Sequence, residues 1–350
     1  MIDLDVPEVY DRFDPAGMRE RIRELPRECL RSWQQSLSFN LPPDYCDVDK
    51  VVILGMGGSA IGGDLLASLK SKVPILVNRE YDLPSFVDGD TLVIASSYSG
   101  MTEETLSSFT QALYMKARKL VLTTGGSLKS LAEQKGVPVY VIDYAAPPRA
   151  ALAHSFIPLL GVCCKLGILA DMSAEVAGMV EVLGELLDAI GERQPLDSNP
   201  AKKLATRLYN RLAVIYGAGF LSQVARRWKT QINENSKAWA FYELFPELNH
   251  NAVVGYEFPA ELAHELFVIL LHSRYLHQRN QLRYKVTSEV LSREGVSYEV
   301  VEGRGEDSLS QMMSLVFFGD WVSYYLALLY ETDPSPVKVI DYLKGRLAES

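Results

Sequence analysis

Residues 51–66, VVILGMGGSAIGGDLL, indicate the fold class of the chain. The run VVILG has no polar alternation, which is typical of a strand buried on both faces of a parallel sheet. A glycine-rich turn follows it, and a helical stretch follows the turn. Glycines placed between a strand and a helix allow backbone N–H groups to approach an anion at the helix N-terminus. The stretch therefore predicts an α/β unit with an anion-binding first turn.

Short apolar runs continue to alternate with helical stretches beyond this segment. The predicted strands of the first half are 51–55, 74–78, 91–97, 119–125 and 137–143. After a mainly helical region, further strands are predicted at 212–217, 267–271 and 297–301. The sequence therefore predicts an α/β protein with two doubly wound parallel-sheet domains.

The length also supports two domains, because single cores rarely grow beyond ~250–300 residues and this chain has 350. Helical spacing over 16–38 predicts an N-terminal helix, and Asn199 is placed to cap a helix that begins at Pro200. The expected divisions are an N-terminal helical segment at 1–50, a first domain at 51–170, a connecting helical segment at 171–198, a second domain at 199–332 and a C-terminal segment at 333–350.

The composition disfavours several classes of protein. A net charge of −9 argues against nucleic-acid binding, which requires an excess of Lys and Arg. The N-terminus lacks the features of a signal peptide, and the apolar runs fall short of the ~20 residues of a membrane helix. The four cysteines have no CxxC spacing and are expected to be buried small residues. We therefore expect a cytoplasmic protein that binds neither nucleic acid nor membrane.

The first glycine-rich turn leaves two kinds of ligand open. Gly55, Gly57 and Ala60 fit the dinucleotide pattern G-x-G-x-x-G/A, and Glu80, about 25 residues later, is a conceivable ribose partner. The alternative is a single phosphate at the N-terminus of the helix.

The loop SSYSGMTEETL, which follows the apolar run TLVIA, favours the phosphate. Three hydroxyls and several amides at a helix N-terminus form a compact site for one phosphate without a lysine, whereas a dinucleotide needs no such loop. Both loops are expected at the carboxyl edge of one sheet, where such folds bind ligands. The candidate phosphate-binding residues are Gly57, Gly58, Ser59, Ser97, Ser99 and Thr102.

Seven motifs carry a resemblance to known families. GMGGSAIGGDLL, SSYSGMTEETL and TTGGSL resemble the sugar isomerase (SIS) domain. APPRAAL, NENSKAW, ELNHNAVVGYE and DPSPVKVIDYLK are similar to the bifunctional phosphoglucose/phosphomannose isomerases. The resemblance runs from about residue 51 to the C-terminus. It implies that a homodimer reversibly isomerises glucose 6-phosphate and fructose 6-phosphate, and also mannose 6-phosphate and fructose 6-phosphate, without a metal ion or organic cofactor.

Isomerisation of an aldose to a ketose through a cis-enediol needs a base, a ring opener and a cation beside the developing oxyanion. The resemblance implies that Glu234 is the base, that His250 opens the ring from the partner subunit, and that Arg149 stabilises the enediolate. It also matches Lys344 to a lysine near the ring-opening end. Spacing alone does not distinguish Glu234 from an exposed helical glutamate, or His250 from a polar loop residue.

Two positions depart from the pattern of the resembling family. Met101 replaces a common Asn in the loop after TLVIA, and Ser335 replaces a frequent Thr. Ser335 is the nearest small hydroxyl upstream of Lys344, and it or Val337 is expected to leave room for both glucose and mannose configurations. The alternatives are a noncatalytic SIS protein that senses a sugar phosphate and an isomerase of another sugar phosphate.

Overall fold

The computed structural model describes residues 2–349, which form nine strands and fourteen α-helices. The strands are β1 Lys50–Leu54, β2 Ile75–Asn78, β3 Thr91–Ser96, β4 Arg118–Thr123, β5 Val139–Val141, β6 Leu212–Ala218, β7 Ala240–Phe245, β8 Leu266–His272 and β9 Ser297–Glu302. The helices are α1 Pro7–Phe13, α2 Met18–Arg23, α3 Leu25–Ser38, α4 Gly57–Ala67, α5 Glu103–Ala112, α6 Gly126–Gln134, α7 Leu152–Lys165, α8 Ser173–Ile190, α9 Pro200–Leu208, α10 Ser222–Asn235, α11 Ala260–Ala263, α12 Gln278–Arg293, α13 Ser308–Leu329 and α14 Lys338–Ala348.

The first sheet has five parallel strands in the order β2-β1-β3-β4-β5. The strand β3 is buried along its whole length, as its continuous apolar run predicts. The chain leaves β1 towards β2 and returns on the other side of β1 to form β3, so the topological switch point lies between β1 and β3. Ligands bind at the carboxyl ends of strands at such a point.

The second sheet has four parallel strands in the order β7-β6-β8-β9. Three of them were predicted, whereas β7 was missed. This strand lies at the edge of the sheet, and from Ala240 to Leu244 its exposed positions, Phe241 and Glu243, alternate with more buried ones. Such alternation is typical of a half-buried strand, but the aromatic residues concealed it in the sequence. Two parallel-sheet α/β domains are therefore confirmed, with one strand more than predicted.

Two predicted helices are interrupted. The helix expected over 16–38 is divided into α2 and α3, because Pro26 lacks the N–H that a continuous helix requires. The helical region before residue 193 is divided into α7 and α8, with Gly167 at φ +69° between them. Asn199 caps α9 as predicted, since its side chain accepts hydrogen bonds from the N–H groups of Ala201 and Lys202.

Two expectations from composition need correction. The helix α13 has 22 residues and is apolar enough to span a membrane by length and composition, contrary to the expectation of short apolar runs only. Its apolar window is completely buried within the protein, as in the core helix of a folded domain. Cys29 and Cys163 are buried as expected, whereas Cys46 is exposed and Cys164 is half-buried.

The chain divides into two compact units. The unit with the second sheet contains the described part of Met1–Arg23, Leu183–Arg304 and Met312–Ser350, and the unit with the first sheet contains Glu24–Val182 and Gly305–Gln311. The N-terminus belongs with the second sheet because the buried Lys202 Nζ donates to Leu4 O at 2.9 Å and to Asp5 Oδ1 at 2.8 Å. The division predicted at residues 50, 170, 198 and 332 stays a prediction from the sequence.

Candidate active site

The glycine-rich turn lies at the carboxyl end of β1, where the chain enters α4. Gly57 begins α4 with φ +48°, a left-handed conformation that glycine adopts without strain. A Cβ added at Gly58 would lie 2.8 Å from the carbonyl carbon and oxygen of Pro148, so only glycine fits without a shift of the backbone. The first turn of α4 therefore lies in close backbone contact with the segment that carries Arg149.

The serine loop, residues 96–102, lies at the carboxyl end of the neighbouring strand β3. Ser97 is buried, and its Oγ lies 2.9 Å from Oγ1 of Thr102, the N-cap residue of α5. The N–H of Gly100 donates to Ser97 Oγ at 3.1 Å, and the N–H of Met101 donates to Ser99 Oγ at 3.2 Å. Ser99 is exposed. The loop thus gathers three predicted hydroxyl residues at one helix N-terminus.

Hydrogen bonds join the serine loop to its neighbours on both sides. The N–H of Tyr98 donates to Ser59 Oγ at 2.9 Å, which connects it to the glycine-rich turn. Thr124 Oγ1, in the TTGGSL motif after β4, donates to Tyr98 O at 2.7 Å. Met101 Sδ accepts hydrogen bonds from the N–H and the hydroxyl of Ser127, both at 3.3 Å. The six predicted phosphate-binding residues therefore lie together at the switch point of the first sheet.

Arg149 belongs to a short 3₁₀ helix, Pro148–Ala150, between β5 and α7. The N–H of Ala150 donates to Pro147 O at 2.8 Å and closes this turn. Arg149 is only 4% exposed, and its backbone N would lie 3.0 Å from a Cβ at position 58. Arg149 is therefore a buried residue whose backbone lies against the glycine-rich turn.

Glu234 lies in the last turn of α10, a helix held firmly by its buried face. Arg227 donates to Asp320 Oδ2 at 2.7 Å, and Gln231 donates to Oδ1 of the same carboxylate at 3.0 Å. Burial raises the pKa of Asp320, while the Arg227 and Gln231 side chains lower it. These bonds fix α10 against α13 in rotation and along its axis, and therefore fix the backbone that carries Glu234.

The asparagines on either side of Glu234 also have structural partners. Asn233 Nδ2 donates to Ala238 O at 2.9 Å, and Asn235 Nδ2 donates to Ser323 Oγ at 3.0 Å. These contacts fix the end of α10 and the approach to β7. A role of the two asparagines in orienting the Glu234 carboxylate stays a prediction.

Lys237 connects the end of α10 to the C-terminal part of the chain. Its Nζ donates to Glu234 O at 2.6 Å and to Pro334 O at 3.1 Å. Lys237 has φ +55°, a left-handed conformation that costs a non-glycine residue roughly 1–2 kcal/mol. Strain of this kind is concentrated at functional sites. The lysine thus holds the segment that carries Ser335 next to the residue predicted as the base.

Glu234 lines a cleft of about 580 Å³ between the end of α10 and the start of α14. The residues that line it are Asn233, Glu234, Lys237, Glu331, Thr332, Asp333, Pro336, Val337, Lys338, Val339 and Ile340. Ser335 is half-buried, and its N–H donates to Asp333 Oδ1 at 2.8 Å. Of the two small residues considered for sugar discrimination, Val337 is the one that faces the cleft with Glu234.

His250 and Lys344 lie outside the set of described residues that line this cleft. His250 is the exposed last residue of a 3₁₀ helix, Glu247–His250, after β7, and Lys344 is exposed on α14. Within residues 2–349, no three His, Cys, Asp or Glu side chains are grouped in a way that would hold a metal ion. The structure therefore groups the phosphate-binding residues and places Glu234 in a cleft, and it leaves His250 and Lys344 at the surface.

Two residues with evident roles in this arrangement were not selected from the sequence. Tyr98 connects three loops of the first sheet, and Lys237 connects α10 to the C-terminal segment. Both stand inside motifs that the sequence had already brought forward, SSYSGMTEETL and NENSKAW. The position of Tyr98 between two candidate serines was the available signal.

Two parallel-sheet α/β domains are the fold of sugar isomerase (SIS) type proteins, and the comparisons with known proteins show this fold. Residues 197–347 match the family described as bacterial phospho-glucose isomerase C-terminal SIS domain. A solved glucose-6-phosphate isomerase like protein from Thermus thermophilus has the same fold, with a TM-score of 0.67 at 19% identity over 97% of this chain and 100% of that one.

Sequence relatives define the family. A bifunctional phosphoglucose/phosphomannose isomerase of Caldicellulosiruptor bescii is 43% identical over 95% of this chain and 99% of its own length. Another of the same name, from Aquifex aeolicus, is 36% identical over 88% of this chain and 93% of its own length. The chain belongs to the bifunctional phosphoglucose/phosphomannose isomerase family and is an enzyme of that kind.

Proposed function

We propose that the protein interconverts fructose 6-phosphate with glucose 6-phosphate and with mannose 6-phosphate, using Glu234 as the base. The observation that carries this proposal is the position of Glu234 in a cleft of about 580 Å³, on a helix fixed by its buried face. Pockets of roughly 300–1,000 Å³ suit small ligands. The family to which the chain belongs supports the choice of substrates.

In the proposed reaction, the Glu234 carboxylate takes the proton from C2 of the open-chain aldose. The electron pair of that C–H bond forms the C1–C2 double bond of a cis-enediol, and O1 gains a proton. The carboxylic acid then returns its proton to C1 while O2 loses a proton and becomes the ketose carbonyl. A positioned base of this kind contributes ~10²–10⁴-fold to the rate. The step needs no oxidant, metal ion or organic cofactor.

The phosphate of the substrate is assigned to the glycine-rich turn and the serine loop. Backbone amides at the N-termini of α4 and α5 and the hydroxyls of Ser59, Ser97, Ser99 and Thr102 supply the donors. The phosphate does not react, so these contacts bind substrate and transition state alike. Loss of such uniform binding raises KM and leaves kcat nearly unchanged.

Arg149 is assigned to the oxyanion of the enediolate. Its burial supports this role, because a charge in a partly desolvated position stabilises a developing charge more strongly than it would in water. Lys344 is assigned to the ring-opening end of the sugar, where its ammonium group would interact with a sugar oxygen. We assign sugar discrimination to the segment 335–337, in which Ser335 and Val337 are both small.

His250 is assigned to ring opening, since a neutral imidazole has one nitrogen that can accept a hydroxyl proton and one that can donate. We propose that it acts in the site of a partner subunit in a homodimer, which its exposed position supports. Mixing inactive Glu234→Gln and His250→Ala subunits should then restore activity, because one site of the mixed dimer keeps both residues. If activity does not recover after subunit exchange is confirmed, His250 does not act in the site of a partner subunit.

Two broader assignments accompany the proposal. The net charge of −9 supports a protein that binds neither nucleic acid nor an acidic membrane surface. We assign the enzyme to the cytoplasm, where interconversion of these hexose phosphates serves glycolysis and gluconeogenesis.

The experiment compares Glu234→Gln with the wild-type enzyme in turnover and in binding of fructose 6-phosphate. The amide keeps the shape of the side chain but cannot accept the proton, so turnover should be lost while binding persists. Glu289→Gln, at an exposed position on α12, is the matched control and should keep full activity. Turnover of Glu234→Gln above about a tenth of the wild-type value would remove Glu234 from the role of base.

A further inference from the structure

Tyr98 makes hydrogen bonds to three other segments of the first-sheet unit. Its N–H donates to Ser59 Oγ at 2.9 Å, and its carbonyl accepts the Thr124 hydroxyl at 2.7 Å. Its own hydroxyl donates to Tyr144 O and accepts the N–H of Ala146 at 2.8 Å. The backbone of Tyr98 therefore joins the phosphate-binding loops to each other, while its hydroxyl reaches the segment that leads to Arg149.

The segment 144–149 has little freedom beyond the Tyr98 contact. The Tyr144 ring stacks on His154 of α7, with the ring centres 4.4 Å apart. Ala146 is followed by Pro147 and Pro148, whose rings fix φ and stiffen the chain as far as Arg149. Fixing Ala146 therefore fixes the start of the 3₁₀ helix that carries Arg149.

His154 provides a rigid support for this stack. Its Nδ1 lies 3.2 Å from Ser32 Oγ, and its Nε2 lies 2.7 Å from Glu28 Oε2, both on α3. Burial lowers the pKa of His154, and this effect outweighs the opposing effect of the neighbouring Glu28 carboxylate. With the Tyr144 ring held by a buried side chain, the hydroxyl of Tyr98 sets the distance between the serine loop and the segment 144–149.

We propose that Tyr98 is a positioning residue, which holds the Arg149 segment at a fixed distance from the phosphate-binding loops. A substrate bound by its phosphate then meets the guanidinium in one geometry. This inference rests on the proposed role of Arg149. Its chemical basis is that the hydroxyl serves as donor and acceptor to two backbone groups, a pattern that phenylalanine cannot reproduce.

The test uses Tyr98→Phe, which removes the hydroxyl and keeps the backbone contacts to Ser59 and Thr124. Tyr140→Phe is the matched control, because Tyr140 is a buried tyrosine of the same unit whose hydroxyl has no hydrogen-bond partner among residues 2–349. For each enzyme we would measure kcat, KM and the competitive inhibition constant of inorganic phosphate, which reports the phosphate-binding loops alone.

We expect Tyr98→Phe to lower kcat about 10-fold or more, since a misplacement of about 1 Å can cost ~10²-fold. The inhibition constant of inorganic phosphate should stay within about twofold, and Tyr140→Phe should match the wild type in every value. A wild-type kcat in Tyr98→Phe would overturn the inference. A weaker phosphate affinity with unchanged kcat would also overturn it, because Tyr98 would then only shape the phosphate site.

Arg149→Lys separates this inference from the proposed function. Full turnover of Arg149→Lys would remove the proposed role of Arg149 and the inference with it. If Arg149→Lys is impaired while Tyr98→Phe is normal, only the inference fails. If both are impaired, the double variant should lose little more than Arg149→Lys alone, and additive losses would show that Tyr98 acts elsewhere.

A second variant keeps the proposal testable if Tyr98→Phe does not fold. Ala146→Pro removes the backbone N–H that donates a hydrogen bond to the Tyr98 hydroxyl, and it leaves the tyrosine in place. It should lower kcat and preserve inhibition by inorganic phosphate, and a wild-type kcat would count against the proposal.

Discussion

Replacing Gly58 with alanine should impair both the stability and the activity of the enzyme. The added Cβ would lie 2.8 Å from the carbonyl carbon and oxygen of Pro148 and 3.0 Å from the backbone N of Arg149. Ordinary contact begins at 3.4 Å, so the two backbones must separate by about 0.6 Å, which is 3.4 minus 2.8. Overpacking of this kind costs ~1–3 kcal/mol, against ~0.5–1 kcal/mol gained from helix propensity. We expect a net loss of about 1 kcal/mol in the free energy of unfolding, within a range of about 0–2.5 kcal/mol.

The same displacement should lower kcat/KM about tenfold, because Arg149 moves relative to the phosphate-binding turn. Urea unfolding and initial rates with fructose 6-phosphate measure the two effects. Gly178→Ala is the control, since a Cβ there meets no atom within 4 Å and should stabilise α8 slightly. Wild-type stability and wild-type turnover in Gly58→Ala would refute the proposed closeness of the turn and the Arg149 segment.

Three further results are expected. Ser97→Ala and Ser99→Ala should each raise KM with little change in kcat, and an unchanged KM in both would argue against the phosphate assignment. His250→Ala should slow the cyclic sugar far more than an open-chain analogue, and equal slowing would exclude a role in ring opening. Burial opposes ionisation of Asp5, but Lys202 and a backbone N–H outweigh it and lower the pKa of its carboxyl. A carboxyl whose pKa is lowered by folding stabilises the fold at pH values above its unfolded-state pKa. The melting temperature of Asp5→Asn should therefore lie below that of the wild type at neutral pH, and the difference should shrink as the pH falls through the folded-state pKa. A deficit independent of pH would contradict this.

The parts of the fold that were predicted correctly have a local cause. The strands β1 and β3 consist of apolar runs that can only be buried on both faces, and Asn199 has the residue type and position of an N-cap. The strand β7 escaped prediction because its burial follows from pairing with β6 at the sheet edge, which is decided by distant residues.

In the candidate site, too, the features with a local cause were predicted and those that depend on distant residues were not. Within each loop the hydroxyls and glycines are close in the sequence, and the meeting of the two loops at one sheet edge follows from the rule for parallel sheets. The contacts of Tyr98 with Ala146 and of Lys237 with Pro334 join residues 48 and 97 positions apart. Such bonds between a side chain and a distant backbone group produce no periodic pattern in the sequence.

Incubation of the purified protein with fructose 6-phosphate as the only sugar tests the central claim most directly. We predict that both glucose 6-phosphate and mannose 6-phosphate appear. The kcat/KM values of the two aldoses should agree within about tenfold, or ~1.4 kcal/mol in transition-state energy. A glucose preference above about a thousandfold would contradict the dual specificity. Recovery of unchanged fructose 6-phosphate, with neither aldose formed, would contradict the assignment as an isomerase of these sugars.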